Sequence, residues 1–203
     1  MFQRTSLFSA LVAMTLSASA FASAEIGKPA PDFNLAGADG SNHSLAGYKG
    51  KTVVLEWNNP ECPFVRKHYD SGNMQKQQAA ATAAGVIWLT INSAAAGKQG
   101  RLDAKSANAY IAESAAKQTA YLFDPQGIVG HAYGAKTTPH LYVVDKDGIL
   151  RYAGGIDSVA STDPGDIAAA IQYVPQVLAE LAAGKTVSTT RSEPYGCSVK
   201  YGG

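Results

Sequence analysis

The sequence predicts a single mixed α/β sheet covered by helices. Three observations carry this expectation. Thr52–Trp57 and Val86–Ile91 are short, apolar and rich in β-branched residues with little alternation, as strands buried on both faces are. Helix-forming stretches alternate with such strands. The last third then holds a hairpin followed by a helical stretch, which completes a sheet with helical cover. The chain has 203 residues, room for one domain with a short appendage.

The first residues read as an address. Arg4 gives one positive charge, Leu7–Leu16 is a short apolar run, and Ala22-Ser23-Ala24 fits an A-x-A cleavage site. This is the three-part layout of a secretory leader over residues 1–24. A run of about ten residues is too short for a membrane anchor. Removing the leader takes one Arg and no acid, so the mature net charge falls from +1 to zero. That balance excludes an electrostatic grip on nucleic acid, and no later run is long and apolar enough to cross a membrane. Export places the mature chain in an oxidising compartment, the periplasm if the source is Gram-negative, where a disulfide persists. Two cysteines are too few for a disulfide scaffold or a Cys-rich zinc site.

The elements follow in order. Asp32–Lys51, with a turn at Ala38-Asp39-Gly40, reads as an N-terminal hairpin. Thr52–Trp57 is the first buried strand. Pro63–Ala84 is helical, interrupted near Ser71-Gly72-Asn73 and stopped by Gly85. Val86–Ile91 is the second buried strand, and Asn92–Gly100 a loop. Leu102–Lys117 is helical, and Ala120–Phe123 is a strand closed by Asp124-Pro125-Gln126-Gly127. Leu141–Asp145 and Ile149–Ala153 flank Lys146-Asp147-Gly148 as a hairpin. Asp163–Ala183 reads as one long Ala-rich helix ended by Gly184. Residues 185–203 form a tail.

The stretch with chemical content is Asn59-Pro60-Glu61-Cys62-Pro63-Phe64-Val65-Arg66-Lys67-His68. A buried strand ends just before it. Pro63 suits the first helical position, because its missing N–H would be unpaired there anyway. Cys62 then sits at a helix N-terminus, where free N–H groups and the helix dipole favour a thiolate. The bland alternative is a packed, inert cysteine. Arg66 and Lys67 either lower the thiol pKa or are plain surface charge. A second stretch, Thr138-Pro139-His140, places an X-Pro step directly before a strand, which invites a cis peptide.

In this order, the buried strand entering Cys62-Pro63, the Thr138-Pro139 step and the following hairpin resemble the thioredoxin superfamily. Ala30-Pro31-Asp32-Phe33-Asn34-Leu35 with its hairpin resembles the redoxin branch, which includes alkyl hydroperoxide reductase and thiol-specific antioxidant proteins. The resemblance covers Glu25 to about Gly184. It implies a three-layer α/β/α sandwich with an N-terminal hairpin, Cys62 as the reactive thiol beside Pro139, and Asn92 near Cys62 at the end of the neighbouring strand. Two positions depart from the pattern. Thioredoxins carry Cys-x-x-Cys, and the second place here is Val65. Peroxiredoxins carry Thr or Ser three residues before the reactive Cys, and that place here is Asn59, whose amide can donate a hydrogen bond. Gly196-Cys197-Ser198-Val199-Lys200 resembles the Gly-Cys-x-x-Lys tail of some exported thioredoxin-like proteins, which implies Cys197 as a resolving thiol and a Cys62–Cys197 disulfide.

The expected site is therefore Cys62 and Cys197, with Asn59, Pro63, Arg66, Asn92, Thr138, Pro139 and His140 around the substrate. His140 either lines the Cys62 pocket or simply packs. His43, His68, His131 and His140 are scattered, so no metal set is expected. No G-x-G-x-x-G or Walker pattern occurs, and no cofactor is implied. The expected activity is thiol–disulfide or peroxide oxidoreduction, on a protein thiol or disulfide partner or on a peroxide. The competing reading is a non-catalytic binding module in which Cys62–Cys197 is a permanent staple.

The mature N-terminus is expected at Glu25. Terminal sequencing of protein taken from the cell envelope checks this, and a start at Met1 would remove the export expectation.

Overall fold

Turn chemistry and β-branched runs lay the sheet down in chain order. The computed structural model describes residues 23–202. The leader expectation thus lies outside the described residues except at Ser23 and Ala24. β1 (Asn34–Gly37) and β2 (Asn42–Ser44) form the N-terminal hairpin. β3 (Val53–Trp57) leads into α1 (Pro63–Asp70) and α2 (Asn73–Ala83), separated by Gly72 in the left-handed region. β4 (Ile87–Asn92), α3 (Ala104–Glu113), β5 (Ala120–Phe123) and α4 (Ile128–Tyr133) follow. Then come the two-residue β6 (Thr137–Thr138), β7 (His140–Val144), β8 (Leu150–Gly154), α5 (Tyr173–Ala182) and the two-residue β9 (Cys197–Ser198).

Seven strands make one mixed sheet in the order β2-β1-β5-β4-β3-β7-β8, and β6 pairs with β9 in a second, small sheet. β3 is central, parallel to β4 and antiparallel to β7, with Leu55 between Leu89 and Tyr142. Every residue of β3 is buried. Alternation sends Val53, Leu55 and Trp57 to one face, against Leu122, Val129 of α4 and Tyr142. Val54 faces the other way, toward Val65 and Tyr69 of α1, Met74 of α2, and Val174 and Val177 of α5. Each such fully buried aliphatic side chain contributes about 1.5–3 kcal/mol. The result is helices on both sides of the sheet, the expected three layers.

Glu56 shares the helix-covered face with Val54 and is fully buried. No cation pairs with it among the described residues. Instead its carboxylate accepts from Tyr69 hydroxyl (2.8 Å), Trp88 Nε1 (2.8 Å), Asn58 Nδ2, Gln78 Nε2 and Thr90 Oγ1 (3.2 Å each). These donors come from β4, from both helices and from the strand's own exit, so one carboxylate joins β3 to its cover.

Two helices differ from expectation. The expected long helix over 163–183 is two pieces. Asp163 caps a 3-10 turn (Pro164–Ala168) by accepting from Gly165 N. Ile171 and Gln172 are then pulled onto the loop after β8. Asp157 and Gln172 form an antiparallel bridge, and Ser158 N donates to Ile171 O at 3.1 Å. Helix resumes only at Tyr173, so tertiary pairing overrides Ala-rich propensity. The expected 102–117 helix shortens to α3, because an Asp103–Ser106 capping box sets its start and Ala115 adopts φ 51° past its end. The six residues of α4, bounded by left-handed Gly127 and Gly134, are too few to show a helical period in sequence.

Burial raises the Glu56 pKa, and hydrogen bonds led by Trp88 offset this only in part. The folded chain therefore binds this proton more tightly than the unfolded chain. Stability is expected to fall as pH rises from the ordinary carboxylate range through the raised value, by up to about 1.4 kcal/mol per pH unit. Glu56→Gln should flatten that slope. It should also cost about 1–3 kcal/mol, because its amide nitrogen faces donors. Urea unfolding of both chains across pH checks the sign and the difference.

Candidate active site

The thiol site begins where β3 ends. The chain turns through Asn59, whose Oδ1 accepts from Glu61 N at 2.9 Å and whose carbonyl accepts from Cys62 N at 3.0 Å. Glu61 is tied in turn by Gly100 N, which donates to its Oε1 at 3.0 Å. Cys62 is the N-cap of α1 with extended backbone (φ −76°, ψ 123°), and Pro63 is the first helical residue. The Cys62 side chain is 0% exposed.

Cys62 Sγ meets two segments distant in sequence. It donates to the Thr138 carbonyl at 3.0 Å, just before the cis Thr138-Pro139 bond. Cys197 packs against the apolar cluster that contains Cys62. The β6–β9 pairing sets this up, because Thr138 lies opposite Cys197. Gly196 makes the approach possible. At φ 133° any side chain would be strained, and a Cβ there would overlap the Thr138 carbonyl oxygen.

Both cysteines are free thiols with opposite perturbations. Burial pushes the Cys62 pKa up. Hydrogen bonds from the Cys197 thiol and N–H, the Val65 N–H and the Thr138 hydroxyl outweigh that and hold it below the ordinary thiol value. Cys197, half-buried, is pushed up to about 11, first by burial and then by Cys62. The tail is docked on the domain through the β6–β9 pairing.

The structure brings Cys62, Pro63, Thr138, Pro139 and Cys197 together. It does not bring Arg66, which is 65% exposed on the outer side of α1 and paired with Asp70 at 3.4 Å. Lys67 is buried and points away from the thiol to Asp157 at 3.6 Å. Asn92 lies a layer behind, its Nδ2 donating to Gly100 O (2.8 Å) and Tyr121 hydroxyl (3.0 Å). His140 is likewise excluded. It sits on β7 in register with Tyr142, so it faces the α4 side, where its Nδ1 meets Tyr142 hydroxyl (3.1 Å) and Lys136 N (3.3 Å). Burial drives its pKa down to about 4. Asn59 shapes the turn, and its buried Nδ2 has no partner among the described residues.

Sequence reasoning missed a buried polar cluster beside the tail. Tyr195 packs edge-on against Phe64 and reaches Asp157 and His68. Nothing local in sequence links positions 68, 157 and 195. A groove of about 590 Å³ between α2 and α5, lined by Ala81, Trp88 and Leu178 among others, contains neither cysteine.

Comparison with known proteins agrees with this architecture. The AhpC/TSA family matches residues 26–153. No curated protein matches the chain. Among solved structures, an uncharacterized conserved protein from Geobacillus kaustophilus is similar at 25% identity and TM-score 0.76, over 94% of this chain and 98% of that one. A hypothetical protein from Sinorhizobium meliloti gives 24% and 0.74, over 89% and 96%. A putative thiol:disulfide interchange protein DsbE from Chlorobium tepidum gives 28% and 0.51, over 64% and 85%. The fold is thioredoxin-like.

The two thiols should titrate as a coupled pair. Cys197→Ala is expected to raise the Cys62 pKa, because a donor to its thiolate is lost. Cys62→Ser is expected to lower the Cys197 pKa, because the neighbouring thiolate no longer opposes its ionisation. Thiolate absorbance against pH on each variant reads both shifts. Shifts of the same sign would contradict this coupling.

Proposed function

The chain belongs to the AhpC/TSA family, and from that premise we propose a thiol–disulfide oxidoreductase with Cys62 as nucleophile and Cys197 as resolving thiol. The observation that carries this reading is the β6–β9 register, which sets Cys197 opposite Thr138, whose carbonyl accepts from Cys62 Sγ at 3.0 Å at the start of α1. A Cys62 thiolate attacks one sulfur of a substrate disulfide, and the leaving thiolate takes a proton. Cys197 then loses its proton and attacks Cys62 Sγ, which releases the second substrate thiol. The substrate gains two electrons and two protons, and the chain is left with a Cys62–Cys197 disulfide. An external dithiol reverses the last state. The missing Cys at Val65 is thus replaced by one that arrives from the tail.

A peroxide substrate has less support. The peroxiredoxin Thr/Ser place holds Asn59, whose side-chain oxygen is committed to Glu61 N. The guanidinium of Arg66 is turned to solvent and Asp70. The leader layout supports export. With it, the chain divides into a leader (1–24), a thioredoxin-like domain (25–184) and a tail that supplies the second thiol (185–203).

One observation favours the alternative of a binding module with a structural disulfide: Cys62 is fully buried. The reduction potential separates the two. A structural bond lies below roughly −300 mV, and the proposed catalytic pair is expected above it. Cys62→Ser should abolish disulfide reductase turnover, while Cys197→Ser should stall at a mixed disulfide on Cys62 that mass spectrometry detects. Turnover that survives Cys62→Ser would sink the reading.

A further inference from the structure

We infer that Tyr195 is a positioning residue, whose hydroxyl latches the tail to the helix of the reactive cysteine and so holds Cys197 against Cys62. This rests on the thiol-pair reading above.

The latch is a directed chain of hydrogen bonds. Asn73 Nδ2 donates to Gln172 Oε1 (3.1 Å) and to His68 Nδ1 (2.8 Å), which leaves the imidazole proton on Nε2. Burial is the main cause that brings the His68 pKa down to about 4, so the ring is neutral at neutral pH. His68 Nε2 is 3.2 Å from the Tyr195 hydroxyl and donates to it. The Tyr195 hydroxyl then donates to Asp157 Oδ1 at 2.5 Å. Burial and the Asp157 charge keep the phenol protonated. Lys67 Nζ supplies the balancing charge, 3.6 Å from Asp157 Oδ2, and lies 5.7 Å from the centre of the Tyr195 ring. Asp157, Lys67 and His68 side chains are all 0% exposed. Among the described residues, Tyr195 is the side chain that hydrogen-bonds Asp157; the other donor is Val159 N.

The geometry transmits this anchoring to the thiol. Tyr195 and Cys197 flank the bend at Gly196 (φ 133°), and both pack against the same buried cluster of the domain. Gly196 between them lies on the Thr138 carbonyl. Phe64, Lys67 and His68, which hold Tyr195, lie on α1, and Cys62 caps that same helix. Both thiols are therefore positioned from one rigid element. A hydrogen bond to a buried charge is strong enough to set a thiol's effective concentration by one to two orders of magnitude.

The test uses the full mature chain. Tyr195→Phe keeps the ring on Phe64 and removes only the hydroxyl. Its Cys62–Cys197 disulfide, equilibrated with glutathione, is expected to show an effective concentration about 10–100-fold lower, a potential about 30–60 mV less negative. In a Cys197→Ser background, the same change should speed alkylation of Cys62 by a similar factor, because the tail lifts more often. Phe64→Leu, which weakens packing but leaves the hydroxyl bonded, should change either quantity by less than about threefold. Thermal unfolding verifies that each variant is folded. Should Tyr195→Phe leave both quantities within about twofold, or should Phe64→Leu match it, the latch is overturned. The equilibrium is read whether or not the chain turns over a protein substrate, so failure of the latch and failure of the oxidoreductase reading are separate results.

Discussion

The buried carboxylate of Glu56 is the interaction on which the arrangement rests. With no cation to neutralise it, it must be met by donors, and five neutral groups converge on it from the strand exit, α1, α2 and β4. An unsatisfied member of such a set costs more than an ordinary lost hydrogen bond, so the set fixes how α1 lies on the sheet. The network also runs on. Asn58 passes it to Tyr121, Tyr121 to Asn92, Asn92 to Gly100, and Gly100 to Glu61 beside Cys62. The turn that presents the thiol is thereby referenced to the centre of the sheet. Asn92, expected near Cys62 at the end of the neighbouring strand, acts here as a strut.

The thiol pair shows how a buried site tunes ionisation without formal charge. Burial works against a Cys62 thiolate. Four neutral donors outweigh it, two from Cys197 and one each from Val65 and Thr138. The nearby cations are spent elsewhere, Arg66 on Asp70 and Lys67 on Asp157. The second thiol is thus part of the electrostatics of the first.

What was legible in sequence follows from locality. β3, β4 and β7 are mostly apolar runs, and Cys62-Pro63 and Thr138-Pro139 mark their own backbone states, so these elements and residues could be read directly. The roles of Arg66 and His140 stay open in sequence because being near in sequence does not set direction: one turn of α1 carries Arg66 to the outer surface, and strand alternation turns His140 toward Tyr142. The break at Ile171-Gln172 depends on partners at Ser158 and Asp157, and the Tyr195 anchor on residues 38 and 127 positions away. No window short enough to show a period contains both ends of such contacts.

The register of the central strand also has a consequence for biosynthesis. β3 pairs on one side with β4 but on the other with β7, and Trp57 faces His140. A ribosome adding about 5–20 residues per second finishes β3 several seconds before β7 emerges. Through that interval a strand that is apolar except at Glu56 has an open edge, which is a template for wrong pairing. β1 waits similarly for β5, since Ala36 pairs with Phe123. That exposure follows from the topology of the sheet alone, before any property of its thiols comes into play.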